Sequence, residues 1–469
     1  MTRSAIISLL ALALAAACGT SDTSKTPEKE AEAKPEAKPA PVTRPLLLLG
    51  LDGATWDLID PLLKEGVLPN FAKLVKGGAR GRLKTFEPTL SPLIWTTIAT
   101  GVFPGRHGIR GFAAPVPATG GTAIVTSNMR RVKALWNILS ERGLTVGVTG
   151  WWATYPAEEV NGFVISDQAN DLRRDNYLAA LDLAADGGAL AGSDPRAVSP
   201  KELAAEIADE LAIPSSVTRE ELGRFFALPE GRNDLLGAPR VNDEDILSVF
   251  KFAYLIDKSF LGAGARALET RRPTFAAIYL NGLDAAEHHF WRHMAPDAFE
   301  GVSAAEVAPY KDVIRNYYIY MDEAIGRLLA LYPLDRTVVM IVSDHGQIAN
   351  KGYDPKAKDH FNRVCSGTHD RAPDGVILMA GVDVVAGADL CGASVLDVAP
   401  TVLALMGAPA GDDMPGRVLE KAIAPEFLKA HPLQRVPSHS AGYRSSNTPI
   451  PSRMNEALQE KLRGLGYIE

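Results

Sequence analysis

The stretch VMIVSDHGQ, Val339 to Gln347, decides the fold class and raises the question of function. Its first four residues are apolar and mostly β-branched, which predicts a strand buried on both faces of a sheet. The strand then ends abruptly in Asp344, His345 and Gly346. These residues fit a turn that caps the strand, a buried hydrogen-bonded pair or ligands for a charged group. A single copy of the pattern leaves the three alternatives open.

Two further segments repeat the pattern of an apolar strand followed by an aspartate. PLLLLGLDG places Asp52 after one strand, and TFAAIYLNGLDAAEHHFW places Asp284 after another. Additional strand candidates are TVGVTGWW, GFVIS and DGVILMAG, and the strands alternate with helical patterns such as DEAIGRLLALY and SVLDVAPTVLALM. This alternation predicts an α/β fold with a doubly wound, mostly parallel sheet flanked by helices.

The three aspartates are expected to converge, because ligands gather beyond the carboxyl ends of strands in such sheets. Asp284 and His288 share one face of a helix at their i, i+4 spacing, and Asp344 and His345 are adjacent. Each aspartate alone fits a turn or a helix cap. Together with the histidines they form a mixed oxygen and nitrogen set that suits Zn²⁺ or a similar divalent cation.

A serine stands at a predicted helix start in the segment PTLSPLIWTTIATG. Ser91 followed by Pro92 predicts an N-cap serine with proline at the first helical position, and Gly101 predicts the helix end. Capping alone explains this pattern. A hydroxyl at a helix N-terminus also lies beside free backbone N–H groups, where a phosphate binds well.

These segments together resemble the type I phosphodiesterase/nucleotide pyrophosphatase family of the alkaline phosphatase superfamily, over most of residues 45–420. The family has a strand-end aspartate, a Ser or Thr nucleophile and three later metal-binding motifs. The matching segments are GLDG at Asp52, PTLS at Ser91 before TGVFPGRHGI, DAAEH at Asp284 and His288, SDHG at Asp344 and His345, and GTH at His369.

The resemblance implies two divalent metal ions, expected to be zinc, and a phosphoserine intermediate on Ser91. The first metal site that it implies consists of Asp52, Ser91, Asp344 and His345, and the second consists of Asp284, His288 and His369. Thr89 is the alternative nucleophile, although it falls two residues short of the family spacing. His107 is expected to brace its loop, and the spare ligand candidates are His289, His293, His360 and Cys365.

One position departs from the family pattern. Nucleotide pyrophosphatases carry an asparagine shortly after the HGI segment that contacts the phosphoryl oxygens, whereas this chain has Phe112 in that region. Phenylalanine cannot donate that hydrogen bond, so the resemblance does not extend to nucleotide specificity. The metal ligands are unaffected.

The N-terminus predicts export. Arg3 precedes an apolar run at residues 5–17, which is typical of a signal peptide and is too short to span a bilayer. Small residues directly before Cys18 resemble a lipoprotein cleavage box, which predicts lipidation of Cys18 and a membrane-anchored protein facing the periplasm or cell surface. Cleavage after Ala17 with a free cysteine is the alternative. Residues 18–44 are rich in proline and charge and predict a disordered tether.

The remaining chain divides into a catalytic domain at 45–424, with a helical cap insertion at about 168–250, and a C-terminal tail with a short helix at 425–469. Cys365 and Cys391 are candidates for a disulfide, and two unpaired thiols are the alternative. The formal net charge of −7 has no long single-sign block. This composition excludes a nucleic-acid binding patch.

The sequence therefore predicts an exported two-metal phosphohydrolase that cleaves a small-molecule phosphate ester, either a monoester or a diester. Two alternatives remain. One is a phosphomutase of the same superfamily, and the other is a non-catalytic surface binding lipoprotein that kept the fold.

Overall fold

The computed structural model describes residues 42, 44–169, 194–239, 241–452, 459 and 462–463, which all lie in one compact unit. The expected signal peptide, Cys18, most of the tether and most of the C-terminal helix lie outside these residues. Among the described helices, none is both long enough and apolar enough to cross a bilayer.

The strands follow one another in two groups along the chain. Those of the first half are β1 (Leu46–Leu51), β2 (Gly78–Leu83), β3 (Ala113–Val116), β4 (Gly121–Ile124), β5 (Val146–Thr149), β6 (Gly162–Ile165) and β7 (Val198–Ser199). Those of the second half are β8 (Phe275–Leu280), β9 (Val338–Val342), β10 (Ile348–Ala349), β11 (Gly367–Thr368), β12 (Gly375–Gly381), β13 (Ala410–Gly411) and β14 (Arg435–Val436).

The α-helices alternate with these strands. Up to β8 they are α1 (Trp56–Glu65), α2 (Pro69–Gly77), α3 (Ser91–Thr100), α4 (Pro104–His107), α5 (Leu135–Glu141), α6 (Leu203–Ile207), α7 (Arg219–Gly223), α8 (Asn233–Gly237) and α9 (Ile246–Arg271). After β8 they are α10 (Gly282–Met294), α11 (Ala304–Val307), α12 (Val313–Leu331), α13 (His360–Val364), α14 (Val395–Leu405) and α15 (Pro425–Ala430).

The central sheet has the strand order β2-β12-β9-β1-β8-β5-β6-β7. Its five middle strands, from β9 to β6, pair in parallel, and the strands at both edges pair antiparallel. Every residue of β1, β8 and β9 is buried, as their unbroken apolar runs predict. The mostly parallel α/β sheet expected from the sequence is therefore confirmed.

The predicted insertion contains short helices that pack on two long ones. Phe225 contacts Phe250 of α9 and Tyr317 of α12 with ring centroids 4.9 and 5.4 Å apart. Thr218 caps α7 in a capping box with Glu221, as the sequence predicts. The role of this segment as a substrate-selecting cap stays a prediction.

Residues 199–212, SPKELAAEIADELA, have the sequence pattern of one amphipathic helix capped by Ser199, but only part of this segment is helical. Ser199 does not cap a helix, because it belongs to β7 and pairs with β6. α6 starts only at Leu203 and ends at Ile207, where a 3₁₀ turn follows. Sheet pairing at the strand edge therefore overrides the local capping signal.

An ion pair between buried Arg130 and partly buried Glu158 accepts a hydrogen bond from the C-terminal tail. Arg130 is 1% exposed and donates from Nη2 to the two carboxylate oxygens of Glu158 at 2.8 and 2.7 Å. Trp136 and Tyr443 donate to the same carboxylate at 2.9 and 3.3 Å. Burial opposes the ionisation of Glu158, but the charge and hydrogen bonds of Arg130 lower its pKa below the usual value.

We expect Glu158→Gln to lower the free energy of unfolding by about 3–5 kcal/mol, because it leaves the Arg130 guanidinium buried without a countercharge. Glu65→Gln is the matched control, since Glu65 pairs with Arg315 at 3.1 Å on the surface. Glu65→Gln should lower the free energy of unfolding by less than about 1 kcal/mol. Thermal unfolding of both variants checks this expectation. Equal unfolding midpoints would show that the Arg130–Glu158 pair stabilises the protein no more than the surface pair does.

Candidate active site

The three strand-end aspartates meet at one edge of the sheet. Asp52 directly follows β1, Asp344 lies two residues after β9, and Asp284 lies in the first turn of α10, which follows β8. β1 lies between β8 and β9, so the three carboxyl ends are neighbours. All three side chains are fully buried. The convergence expected from the sequence is present.

Asp52, Asp344 and His345 form the first cluster. Nε2 of His345 lies 3.4 Å from Oδ1 of Asp52 and 3.3 Å from Oδ2 of Asp344. One ligand atom from each of the three residues lies within 4.8 Å of the others, which is a spacing that a single cation can bridge. This group matches three of the four ligands expected for the first metal.

Asp284, His345 and His369 form the second cluster, again with ligand atoms within 4.8 Å of one another. His288 is close to it, because its Nε2 lies 3.5 Å from Oδ2 of Asp284 and its ring centroid lies 5.0 Å from that of His369. The structure therefore places His345 beside both clusters, whereas the sequence assigned it to the first alone. The two clusters share His345.

Electrostatics in this site favour a bound cation. Burial and, after it, the charge of Asp284 raise the pKa of Asp52 from 3.8 to about 7. Burial and the charges of Asp52 and Asp284 raise the pKa of Asp344 well above its usual value. Clustered buried carboxylates of this kind are costly unless a cation neutralises them.

The histidines are in the protonation state that metal binding requires. Burial lowers the pKa of His345 to about 3 and that of His288 to about 4. Burial and the two neighbouring imidazoles lower the pKa of His369 well below its usual value. All three rings are therefore neutral at pH 7 and can coordinate a divalent cation.

Unpartnered buried atoms show where such a cation fits. Oδ1 of Asp52, Oδ2 of Asp344, Nε2 of His345 and Oγ of Ser91 are buried and have no hydrogen-bond partner among the described residues. Buried polar atoms are normally satisfied, so a cluster of orphaned ones indicates a ligand. Their oxygen and nitrogen chemistry fits a divalent transition metal.

Ser91 is the first residue of α3 rather than its N-cap, which corrects the sequence expectation. Leu90 is the N-cap, because its backbone is extended, with φ −96° and ψ 121°, and its carbonyl accepts from Leu93 and Ile94. The Ser91 hydroxyl is therefore not used for capping. Gly101 ends the helix in a left-handed conformation, with φ 71°, as expected.

The neighbours of Ser91 in sequence contact both clusters. One turn along α3, Nε1 of Trp95 donates to Oδ2 of Asp52 at 3.0 Å, and residues four apart share a helix face. Two residues before Ser91, the Thr89 hydroxyl contacts Nδ1 of His369 at 3.0 Å. In the sequence, Ser91 therefore lies between Thr89, which contacts the second cluster, and Trp95, which contacts the first.

The sequence model of the family described as "Type I phosphodiesterase / nucleotide pyrophosphatase" matches residues 46–386, which span this site. The chain belongs to this family. None of the curated protein sequences is significantly similar to it.

Solved structures of phosphonoacetate hydrolase from Sinorhizobium meliloti 1021 are similar to the chain. The complexes with phosphonoformate and with phosphonoacetate both align at 17% identity, with TM-scores of 0.33 and 0.34. Each alignment covers 66% of this chain and 58% of the hydrolase. The chain thus matches a little over half the length of that enzyme.

Three further histidines, His107, His289 and His360, lie outside these two clusters. His107 is buried and braces its loop as expected, since Nε2 contacts the Thr97 hydroxyl at 3.1 Å and Nδ1 accepts from the backbone of Ile109. His289 contacts the Val364 carbonyl at 3.2 Å. His360 lies near a separate acidic pair on the surface.

The cysteines do not form the candidate disulfide. Cys365 is buried, Cys391 is exposed, and both are free thiols in the structure. Burial and the charge of Asp284 raise the pKa of the Cys365 thiol. Cys365 is therefore held as a neutral, buried thiol, which makes it a poor metal ligand.

Some residues that donate hydrogen bonds to the clustered aspartates are not predicted from the sequence. Tyr279 of β8 donates a short hydrogen bond to Oδ2 of Asp52, and Gln347 donates from Nε2 to Oδ1 of Asp284 at 2.6 Å. Gln347 directly follows the SDHG segment, which is the one signal that could have identified it. Such outer partners orient metal ligands in metalloenzymes.

Asp257 on α9 was also missed, and it fixes the start of α10. Its carboxylate accepts from the backbone N–H groups of Asn281 and Gly282 at 2.9 and 3.0 Å, and from the Tyr317 hydroxyl at 2.9 Å. These bonds hold the first turn of α10, which carries Asp284. No local sequence pattern predicts a contact between residues so far apart.

We expect zinc binding to the metal-free protein to release about one more proton per chain at pH 6 than at pH 8. Below its pKa of about 7, Asp52 holds a proton that the cation must displace, whereas above that pH the carboxylate is already ionised. The histidines add nothing, because they are neutral at both pH values. Apparent zinc affinity should therefore fall as the pH drops below 7.

Calorimetric titration in buffers of different ionisation enthalpy measures this proton release. Asp52→Asn is the matched variant, and it should abolish the difference between pH 6 and pH 8. If Asp52→Asn shows the same difference in proton release between pH 6 and pH 8 as the wild type, another group supplies the proton.

Proposed function

We propose that the chain is an exported two-metal phosphohydrolase that cleaves a small-molecule phosphate ester through a phosphoserine on Ser91. The observations that support this most directly are the buried set of carboxylates and imidazoles and the buried Ser91 hydroxyl, which has no hydrogen-bond partner among the described residues. The residues of the set are Asp52, Asp284, His288, Asp344, His345 and His369. Family membership supplies the reaction class, and the finer steps are part of this proposal.

The side chains divide between two cation positions. Asp52, Asp344 and His345 would hold the first cation with Ser91, and the second would be held by Asp284, His288 and His369. Their mixed oxygen and nitrogen donors favour zinc. When bound, two such cations neutralise the phosphoryl oxygens and lower the pKa of a coordinated serine hydroxyl.

Ser91 has the position that a nucleophile needs. As the first residue of α3 it stands at the positive end of the helix dipole, which favours a phosphate. Its oxygen forms a bond to phosphorus as the bond to the ester alcohol breaks. Water then cleaves the phosphoserine, which returns the hydroxyl and releases phosphate, or the remaining ester when the substrate is a diester.

Thr89 has a different role. Its hydroxyl contacts Nδ1 of His369 at 3.0 Å and donates to the backbone carbonyl of His369 at 3.2 Å. A hydroxyl that holds a ligand histidine in place is not free to attack phosphorus. Nδ1 of His369 is occupied by this contact, which leaves Nε2 for a cation.

Phe112 argues against specificity for nucleotides. Its side chain packs edge-on against the Trp152 ring, with centroids 5.5 Å apart, and is buried. Phenylalanine offers no hydrogen bond to a phosphoryl oxygen at this position. We therefore propose a non-nucleotide phosphate ester as the substrate.

The substitution Ser91→Ala should lower kcat/KM for p-nitrophenyl phosphate and for bis(p-nitrophenyl) phosphate by at least about a thousandfold, because the nucleophile is lost. The fold and bound zinc should remain, which circular dichroism and metal analysis check. Near-wild-type turnover would rule out Ser91 as the nucleophile. The wild-type ratio of the two substrates measures the preference for monoesters or diesters.

Thr89→Val, two residues before Ser91, is the matched variant for Ser91→Ala. It should lower zinc affinity by about 10–100-fold through the loss of support for His369. Excess zinc should then restore most of the activity, whereas it should not rescue Ser91→Ala. Zinc-independent inactivation of Thr89→Val would instead favour Thr89 as the nucleophile.

Export and lipid anchoring are a separate part of the proposal, supported by the charged and apolar pattern before Cys18. Lipidation of Cys18 would fix the protein to a membrane facing the periplasm or cell surface. Cys18→Ser should move the protein from the membrane fraction to the soluble exported fraction. Unchanged membrane association would contradict the lipid anchor.

A further inference from the structure

A small cavity opens at the edge of the sheet where the proposed metal ligands lie. It has a volume of about 50 Å³, and residues that follow β5, β6 and β8 line it, including Gly150, Asp167, Gln168 and Asn281. In the sheet order, β8 separates β1 from β5. The cavity therefore flanks the metal cluster on the β5 side, at the edge where ligands of α/β sheets bind.

Tyr279 connects the cavity to the metal cluster. Its ring lines the cavity, and its hydroxyl donates to Oδ2 of Asp52. Trp152, which also lines the cavity, donates from Nε1 to the Tyr279 hydroxyl at 2.8 Å. A single side chain, Tyr279, thus lies between the cavity and Asp52.

Two buried oxygen atoms at the cavity have no partner. Oε1 of Gln168 and Oδ1 of Asn281 make no hydrogen bond with the described residues, and the two side chains are only 6% and 7% exposed. Both residues line the cavity. Unsatisfied buried acceptors are rare and indicate that a ligand supplies the missing donors.

A buried carboxylate adds negative charge to the same cavity. Asp167 accepts hydrogen bonds from the backbone of Ala153 and Tyr155 at 3.0 and 2.9 Å and from the Thr154 hydroxyl at 3.3 Å. None of the described residues that line the cavity is a lysine or arginine. Burial raises the pKa of Asp167 to about 7, which a bound cation would reverse.

The remaining wall is largely aromatic. Trp152, Phe260 and Tyr279 line the cavity together with aliphatic side chains. Aromatic faces carry partial negative charge and attract ammonium groups. Oxygen acceptors, a carboxylate and aromatic rings are thus combined at one small cavity, and all of them favour a cation that carries N–H donors.

We propose that this cavity binds a protonated primary amine carried by the phosphate ester substrate, and this inference rests on the proposed function. A primary ammonium has three N–H donors, which match Gln168, Asn281 and Asp167. A hydroxyl has a single donor, and a quaternary ammonium has none, so either would leave buried oxygens unsatisfied. The substrate class that fits is a short aminoalkyl phosphate ester.

The experiment compares esters that differ only in the amine, at pH 7.5 with the zinc-loaded protein. The substrates are 2-aminoethyl 4-nitrophenyl phosphate and ethyl 4-nitrophenyl phosphate for diester cleavage, and 2-aminoethyl phosphate and ethyl phosphate for monoester cleavage. We expect kcat/KM to be at least about tenfold higher for the aminoethyl member of the pair that is cleaved. Equal values for the two members would overturn the proposal.

Gln168→Met removes one acceptor at nearly constant volume and should reduce the preference for the amine to near unity. The ethyl esters should be cleaved as by the wild type, because Gln168 is not part of the catalytic cluster. Gln434→Met, at an exposed glutamine, is the matched control and should keep the full preference. A preference for the amine that survives Gln168→Met would also overturn the proposal.

A binding measurement separates this inference from the proposed function. Zinc-loaded Ser91→Ala is titrated calorimetrically with 2-aminoethyl phosphate and with ethyl phosphate. Binding of the amine at least about tenfold more tightly, lost in Ser91→Ala/Gln168→Met, would uphold the cavity assignment even if no ester is turned over. Equal binding would overturn it, while absent turnover alone would count only against the proposed hydrolysis.

Discussion

The site depends on the burial of three carboxylates beside one another. Asp52, Asp284 and Asp344 are fully buried at adjoining strand ends, where each raises the energy of ionising the next. Two like charges about 4 Å apart repel by about 4 kcal/mol even at an effective dielectric constant of 20. A bound cation would offset this repulsion, so the repulsion between the carboxylates favours cation binding. The neutral histidines around the carboxylates can coordinate a cation without adding charge.

The fold supplies this arrangement through close packing behind the ligands. β1 lies between β8 and β9, which brings their carboxyl ends together. Gly50 in β1 leaves room for Trp95, since a Cβ there would lie 2.5 Å from its ring, and Trp95 in turn donates to Asp52. Gly53 has φ +76°, and a Cβ there would lie 3.1 Å from Asp284. The two glycines of GLDG thus position the aspartate between them.

Much of the fold and the cluster could be predicted because their signals are local. Unbroken apolar runs identify β1, β8 and β9, and the strand-end rule then brings Asp52, Asp284 and Asp344 together. Long-range contacts carry no such signal, so the roles of Tyr279, Gln347 and Asp257 were missed. The cap at Ser91 was placed one residue late, because proline is tolerated at both of the first helical positions. His345 was assigned to one metal alone, because sequence order cannot show that its ring lies between two clusters.

Anomalous diffraction at the zinc edge from crystals of the zinc-loaded protein would locate the proposed pair of cations. Two anomalous peaks are expected on either side of His345, one near Asp52 and Asp344 and the other near Asp284 and His369. A single peak, or peaks away from these side chains, would contradict the proposed pair.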